Sequence, residues 1–100
     1  MKLVRENIAK RILAEDATQI SQASDNTEFL MFLKLKLSEE LDELRESNYS
    51  DVNEFADVLE VLETLAEQHG LSFSKILEAK HNKAQVEGDL KRGLIYKKLT

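Results

Sequence analysis

Between Asp25 and Gly70 the chain has no proline and no glycine before Gly70 itself, and over the first half of that stretch leucine recurs at Leu30, Leu33, Leu37, Leu41 and Leu44. Steps of three and four place these side chains on one face of an α-helix, whereas a strand would scatter them over both of its faces. The stretch is therefore expected to be helix, interrupted where Asn48, Tyr49 and Ser50 supply turn residues. The rest of the chain points the same way. The whole chain contains no proline and three glycines, and it is rich in Leu, Glu, Lys and Ala, all favourable in helices.

Caps and periodicity divide the chain into four helical segments. The first is expected from about Arg5 to Glu15, with Val4, Ile8, Ile12 and Leu13 as its apolar stripe. A short extended connector follows over Ala17–Ala23. Asp25 reads as an N-cap with Glu28 three residues on, a capping-box arrangement that opens the second helix, which should end near Ser47. Ser50 is expected to cap the third, which runs to His69 and stops at Gly70, the left-handed residue after the helix. Ser72 or Ser74 starts the fourth, carried by Phe73, Ile76, Leu77, Ala84 and Val86 to Gly88. Beyond it, Lys91-Arg92-Gly93 reads as a turn and Leu94, Ile95 and Tyr96 as a short strand or extended C-terminal arm. Because short turns make antiparallel neighbours, the expected fold is an all-α, antiparallel bundle of about four helices forming one domain over residues 1–100.

A chain of 100 residues buries only about 60–65% of the surface its unfolded form exposes, so a homodimer or tetramer would help it. Cysteine is absent, which excludes disulfides and thiolate metal sites, and two scattered histidines do not make a zinc site. His69, at a helix C-terminus, is explained by the helix dipole, and His81 reads as a surface residue. No apolar run approaches the ~20 residues of a membrane span, and the N-terminus lacks the apolar core of a signal peptide. The cytoplasm is the expected setting. Fourteen basic against nineteen acidic residues leave a formal charge of −5, which opposes binding to a nucleic-acid polymer.

Much of that acidity sits in two pairs, Glu40 with Glu43 and Glu54 with Asp57. Spacing of i,i+3 brings two carboxylates onto one helical face with Cβ atoms about 5–6 Å apart. If the turn at Asn48 folds the two helices together, four carboxylates converge. Such a group repels itself unless a cation sits within it, and an all-oxygen donor set suits a hard ion such as Mg²⁺, with Mn²⁺ or Ca²⁺ as substitutes. On a helical wheel with Leu37 at zero, Glu40 lies about 60° and Glu43 about 120° to one side, with Lys36 between them and Glu39 nearly opposite the stripe. With Val58 at zero on the third helix, Phe55, Leu59, Leu62, Leu65 and Ala66 form an apolar arc and Val61 falls on the other side. Glu54 lies about 40° from Val58, an acid at a position periodicity assigns to the core, where ionised carboxylates persist only when paired or metal-bound. Glutamate-rich runs in an acidic helical chain are also commonly solvated faces, and both readings stand on the pattern alone. Arg5, Lys2 and Lys83 read either as phosphate clamps or as ordinary surface bases. Phe29 and Phe32, on the flank of Lys36 and Glu43, read as core residues or as a stacking surface for a base.

Glu39-Glu40-x-x-Glu43 followed by Glu54-x-x-Asp57 resembles the EExxE and ExxD signature of the MazG-like all-α nucleoside triphosphate pyrophosphohydrolases. The opening Lys2-Leu3-Val4-Arg5-Glu6-Asn7-Ile8 is similar to the KLVRDxI start of a phosphoribosyl-ATP pyrophosphohydrolase-like, house-cleaning branch of that superfamily. Ala56 to Glu63 and Lys83-Ala84 with Gly88 are similar to further stretches of it, although Glu87, Asp89 and Leu90 stand where the branch usually has Arg, Gly and Phe. The resemblance implies a Mg²⁺-dependent enzyme that cleaves a nucleoside triphosphate or phosphoribosyl-ATP to a monophosphate and pyrophosphate. It implies metal ligation by Glu40, Glu43, Glu54 and Asp57 and water activation involving Glu39 and Glu40. Phosphate contacts would come from Lys36, Arg5 and Lys83, with Lys91 and Arg92 replacing the altered closing motif. The rival expectation is a catalytically silent interaction or regulatory module on the same fold.

Overall fold

Four helices and no strand make up the regular structure of residues 1–15 and 20–99, the part of the chain described by the computed structural model. They are α1 (Glu6–Glu15), α2 (Asn26–Glu46), α3 (Val52–Gln68) and α4 (Phe73–Glu87). The all-α class read from the sequence is therefore the one adopted. The chain divides into two compact units, Met1–Gly70 and Leu71–Thr100.

In the first unit the long helix α2 begins as its cap residues require. The Asp25 carboxylate accepts a hydrogen bond from the Glu28 amide at 2.8 Å, and the Glu28 side chain reaches back to accept from the backbone N–H of Ser24 at 3.2 Å and from its hydroxyl at 3.1 Å. These bonds satisfy amides that the first helical turn leaves without partners. At the other end, Asn48 and Tyr49 both take left-handed conformations, with φ of 59° and 58°, and the Tyr49 amide donates to the Leu44 carbonyl at 3.1 Å. Left-handed backbone costs an L-residue roughly 1–2 kcal/mol, least for Asn, so Tyr49 is held there by the closure of the turn. The cap of α3 is Asp51, not Ser50 as expected. The Asp51 carboxylate accepts from the Asn53 amide at 2.9 Å, whereas the Ser50 hydroxyl is turned back to the Ser47 carbonyl. Two left-handed residues use up one more position than a simple turn would, which shifts the start of α3 by one. Gly70, with φ of 74°, ends α3 as expected.

Within this unit α2 and α3 are the helices whose backbones pack closely, joined by the short turn as antiparallel neighbours. Their packed faces differ from the leucine stripe. On α2 the buried residues are Leu33, Glu40 and Leu44, with Leu37 half-buried, while Leu41 is exposed. On α3, Val61 and Ala66 are buried and Glu54, Val58 and Leu65 half-buried. Positions 33, 37, 40 and 44 and positions 54, 58, 61 and 65 both follow the four-three-four spacing of a helix-pair seam. Phe55, Leu59 and Leu62, expected to face inward, are instead exposed, and Val61 takes the inner position assigned to them. At 100° per residue the observed seam is turned from the expected apolar arc by about 30° on α2 and about 80° on α3, because it includes an acid on each helix.

Before α1, Met1 to Arg5 form no helix, and Ile20 to Ala23 after it carry neither helix nor strand. The remainder of the expected connector, Ala17 to Gln19, lies outside the described residues. In the second unit Ser72 precedes α4 but its side chain caps no helix amide, and its hydroxyl pairs instead with that of Ser74 at 2.7 Å. Gly88 closes α4 with φ of 86°. The tail beyond it turns at Lys91 and Arg92 and forms no strand. Leu94, Ile95 and Tyr96 are exposed there.

Candidate metal centre

Glu40 stands at the middle of the α2 seam and Glu54 at the first turn of α3, so packing the two helices forces both acids toward the same region. Glu43, one turn after Glu40, and Asp57, one turn after Glu54, follow on the same flank. Each of these four side chains offers a carboxylate oxygen, and the four oxygens lie within 4.8 Å of one another. The convergence expected from the spacing is thus realised by the fold.

Glu40 is the most confined member. Only 5% of the residue is exposed, one of its oxygens pairs with the Lys36 ammonium at 3.1 Å, and the other, Oε2, is buried without a hydrogen-bond partner among the described residues. Glu54 Oε2 is likewise buried and unpartnered. A buried carboxylate oxygen with no donor is costly, and native proteins leave few of them. The donor set is oxygen throughout and anionic, as a hard divalent ion requires. These residues fit such an ion.

The electrostatics record the crowding. The Glu43 carboxyl is pushed above its ordinary value first by the closeness of the Glu40 carboxylate, then by burial and by the charges of Glu40, Glu54 and Glu39. Glu54 is also pushed up, by desolvation first and then by the charges of Asp57, Asp51 and Glu40, with the neighbouring Glu43 carboxyl offsetting part of the rise. Both effects are what like charges in a confined space produce.

Cations surround the cluster on one side. Lys36 bridges Glu40 and Glu39, the latter at 3.4 Å. Burial works against the Lys36 charge, but its bonds to Glu40 and Glu39 outweigh this and leave the ammonium more basic than usual. Glu39 is not among the four converging acids, in keeping with its place on the wheel. Burial would raise its carboxyl, yet the hydrogen bond from Lys2 at 3.1 Å and the charges of Lys36 and Lys2 hold it below the ordinary range. The Arg5 guanidinium donates to Asp57 at 2.8 Å, a bond that makes it still more strongly basic. Arg5 therefore touches a member of the acidic cluster itself, a contact the sequence reading did not foresee.

A groove of about 590 Å³ opens beside the cluster, with Lys2, Arg5, Glu6, Lys36, Glu40, Asp57 and Glu60 as its charged lining. Ile8, Ile12, Phe29, Leu33 and Val61 give it an apolar wall, and Thr64 lines it too. Phe29 is half-buried in that wall. Glu60 and Thr64 were not singled out from sequence, though they lie three and seven residues beyond Asp57, on a helical line that continues its flank. Lys83 is exposed on α4, and Lys91 and Arg92 are exposed in the turn that follows, all three in the second unit. The Lys91 amide donates there to the Asp89 carboxylate at 2.9 Å. No family model matches this chain, and no curated protein or solved structure is detectably similar to it.

Proposed function

We propose that the protein is a Mg²⁺-dependent nucleotide pyrophosphohydrolase, with Mn²⁺ able to substitute, acting on a nucleoside triphosphate or phosphoribosyl-ATP. The observation that carries the reading is the meeting of four carboxylates around a buried Glu40 oxygen that has no donor. Glu40, Glu43, Glu54 and Asp57 would hold the ion. When bound, a hard dication neutralises phosphate charge as a Lewis acid and makes an attacking water more acidic.

The chain's own groups supply the rest. Lys36 fixes one oxygen of Glu40 and so leaves the other for a ligand, and Lys36 and Arg5 put cationic groups in the groove for a polyphosphate, offset there by Glu6, Glu40, Asp57 and Glu60 until an ion is bound. Glu39, whose two oxygens are held by Lys2 and Lys36, would orient the attacking water or, through Lys36, the Glu40 carboxylate. In the overall reaction water adds to the α-phosphorus, the bond to the bridging oxygen breaks with its electrons going to pyrophosphate, and a monophosphate remains. The apolar wall with Phe29 is suited to a base. Lys83, Lys91 and Arg92 remain proposed phosphate contacts on the resemblance alone.

A nucleotide panel assayed for released pyrophosphate with Mg²⁺, Mn²⁺ or chelator, beside Glu54→Gln, tests this directly. Metal-dependent release that Glu54→Gln lowers by at least about 100-fold, the scale of losing one well-placed charge-stabilising group, is the expected result. A folded protein that releases none from any nucleotide leaves the silent interaction module as the function. The exposed row of Phe55, Leu59 and Leu62 supports self-association as a homodimer or tetramer under either reading.

A further inference from the structure

Asp57 has two claimants. It is one of the four acids that converge as candidate ligands, and it is also the acceptor for the Arg5 guanidinium at 2.8 Å. Arg5 ends the irregular segment that leads into α1, and the same segment is tied a second time by Lys2 to Glu39 at 3.1 Å. Close backbone packing in this unit is between α2 and α3, so α1 is held to them by side chains: these two ion pairs and the apolar residues Leu3, Val4, Ile8 and Ile12 that line the groove. A helix of ten residues is marginal by itself in water, so α1 depends on that attachment.

We propose that Arg5 is a cation-responsive latch. In the metal-free protein its guanidinium stands in for the missing cation at Asp57 and holds the N-terminal segment over the groove. A divalent ion at the cluster draws Asp57 away, the guanidinium is released, and α1 loosens, opening the groove and freeing Arg5 for an anionic ligand. The inference rests on the reading of the four acids as a metal site, for which the buried, unpartnered Glu40 oxygen is the independent sign. Linkage makes the effect reciprocal: by whatever factor the Arg5–Asp57 pair weakens ion binding, the ion weakens the pair. Both partners are partly exposed, at 52% and 34%, so the factor is about 2- to 5-fold, the range of an exposed ion pair.

The test compares Mn²⁺ affinity, measured by paramagnetic resonance, in the unsubstituted protein and in Arg5→Gln and Lys2→Gln. Each variant removes one positive charge from the same segment, but only Arg5 touches a cluster acid. Arg5→Gln should tighten Mn²⁺ binding about 2- to 5-fold, while Lys2→Gln leaves it unchanged. Hydrogen exchange supplies a second readout: Mg²⁺ should lower the protection of the α1 amides from Ala9 to Leu13 in the wild type. In Arg5→Gln those amides should exchange about 2- to 5-fold faster than in the metal-free wild type, with or without the ion. Equal tightening by both substitutions would reduce the effect to general charge and overturn the latch, as would α1 protection that Mg²⁺ does not move. A wild type that binds no Mn²⁺ at all would remove the metal site and the latch together, a result distinct from either.

Discussion

Glu40 combines two roles that usually belong to different residues, since it fills a place in the helix seam and carries a charge into it. Its neighbours Glu43 and Glu54 are raised above their ordinary values by that arrangement, Glu43 chiefly through the closeness of the Glu40 carboxylate and Glu54 chiefly through desolvation. In the unfolded chain both titrate near about 4.3, so just above that value the folded protein keeps protons that the unfolded chain has lost, and stability falls as pH rises through this interval. Glu39 behaves oppositely. Held low by Lys2 and Lys36, it adds stability above the ordinary value that is lost on acidification below it. Asp51, Asp57, Lys36 and Arg5 also face the site and set its balance. The metal-free protein is accordingly expected to melt at a higher temperature just above the ordinary carboxylate range, at about pH 5, than at about pH 7, with saturating Mg²⁺ removing the difference. Calorimetric melts in both buffers, with the ion and with chelator, check this; identical curves in all four conditions would contradict it. The acids themselves were legible in the sequence because i,i+3 spacing is a local property. The Arg5–Asp57 and Lys2–Glu39 pairs were not, since each joins residues far apart in the chain through a segment with no periodicity of its own.

Among the elements, α2 owes its start to chemistry that could be read directly. Asp25 and Glu28 act as their spacing suggests, and Asp25→Ala should cost about 1 kcal/mol, the usual loss on removing an N-cap side chain. Urea denaturation followed by circular dichroism would measure it, and an unchanged midpoint would show that the bond carries no weight. The cap of α3 was misplaced by one residue because Ser50 and Asp51 are both competent caps, and only the two left-handed residues before them decide between the two. Helix faces were harder still. Leucine marks the apolar side in general, but the packed seam of a helix pair is a narrower line, and here it was hidden by having glutamate within it at Glu40 and Glu54.

Considered as a molecule, the first unit leaves Phe55, Leu59 and Leu62 at 46%, 53% and 39% exposure, with spacing of four and three residues that defines a second seam on α3. Its buried apolar residues are few: Leu33, Leu44, Val61 and Ala66. A second copy covering that row would add core that the lone chain lacks. Sedimentation equilibrium should therefore give a dimer or tetramer mass, and Leu59→Glu should lower it toward the monomer. A wild-type mass of one chain at micromolar concentration would set this aside. Among the described residues no helix is long and apolar enough to cross a membrane.

The unpartnered oxygen of Glu40 has a consequence for how the protein can change over time. A leucine at position 40 would heal the seam and spare a desolvated charge, so the substitution that most readily yields a sturdier fold is the one that removes the central candidate ligand.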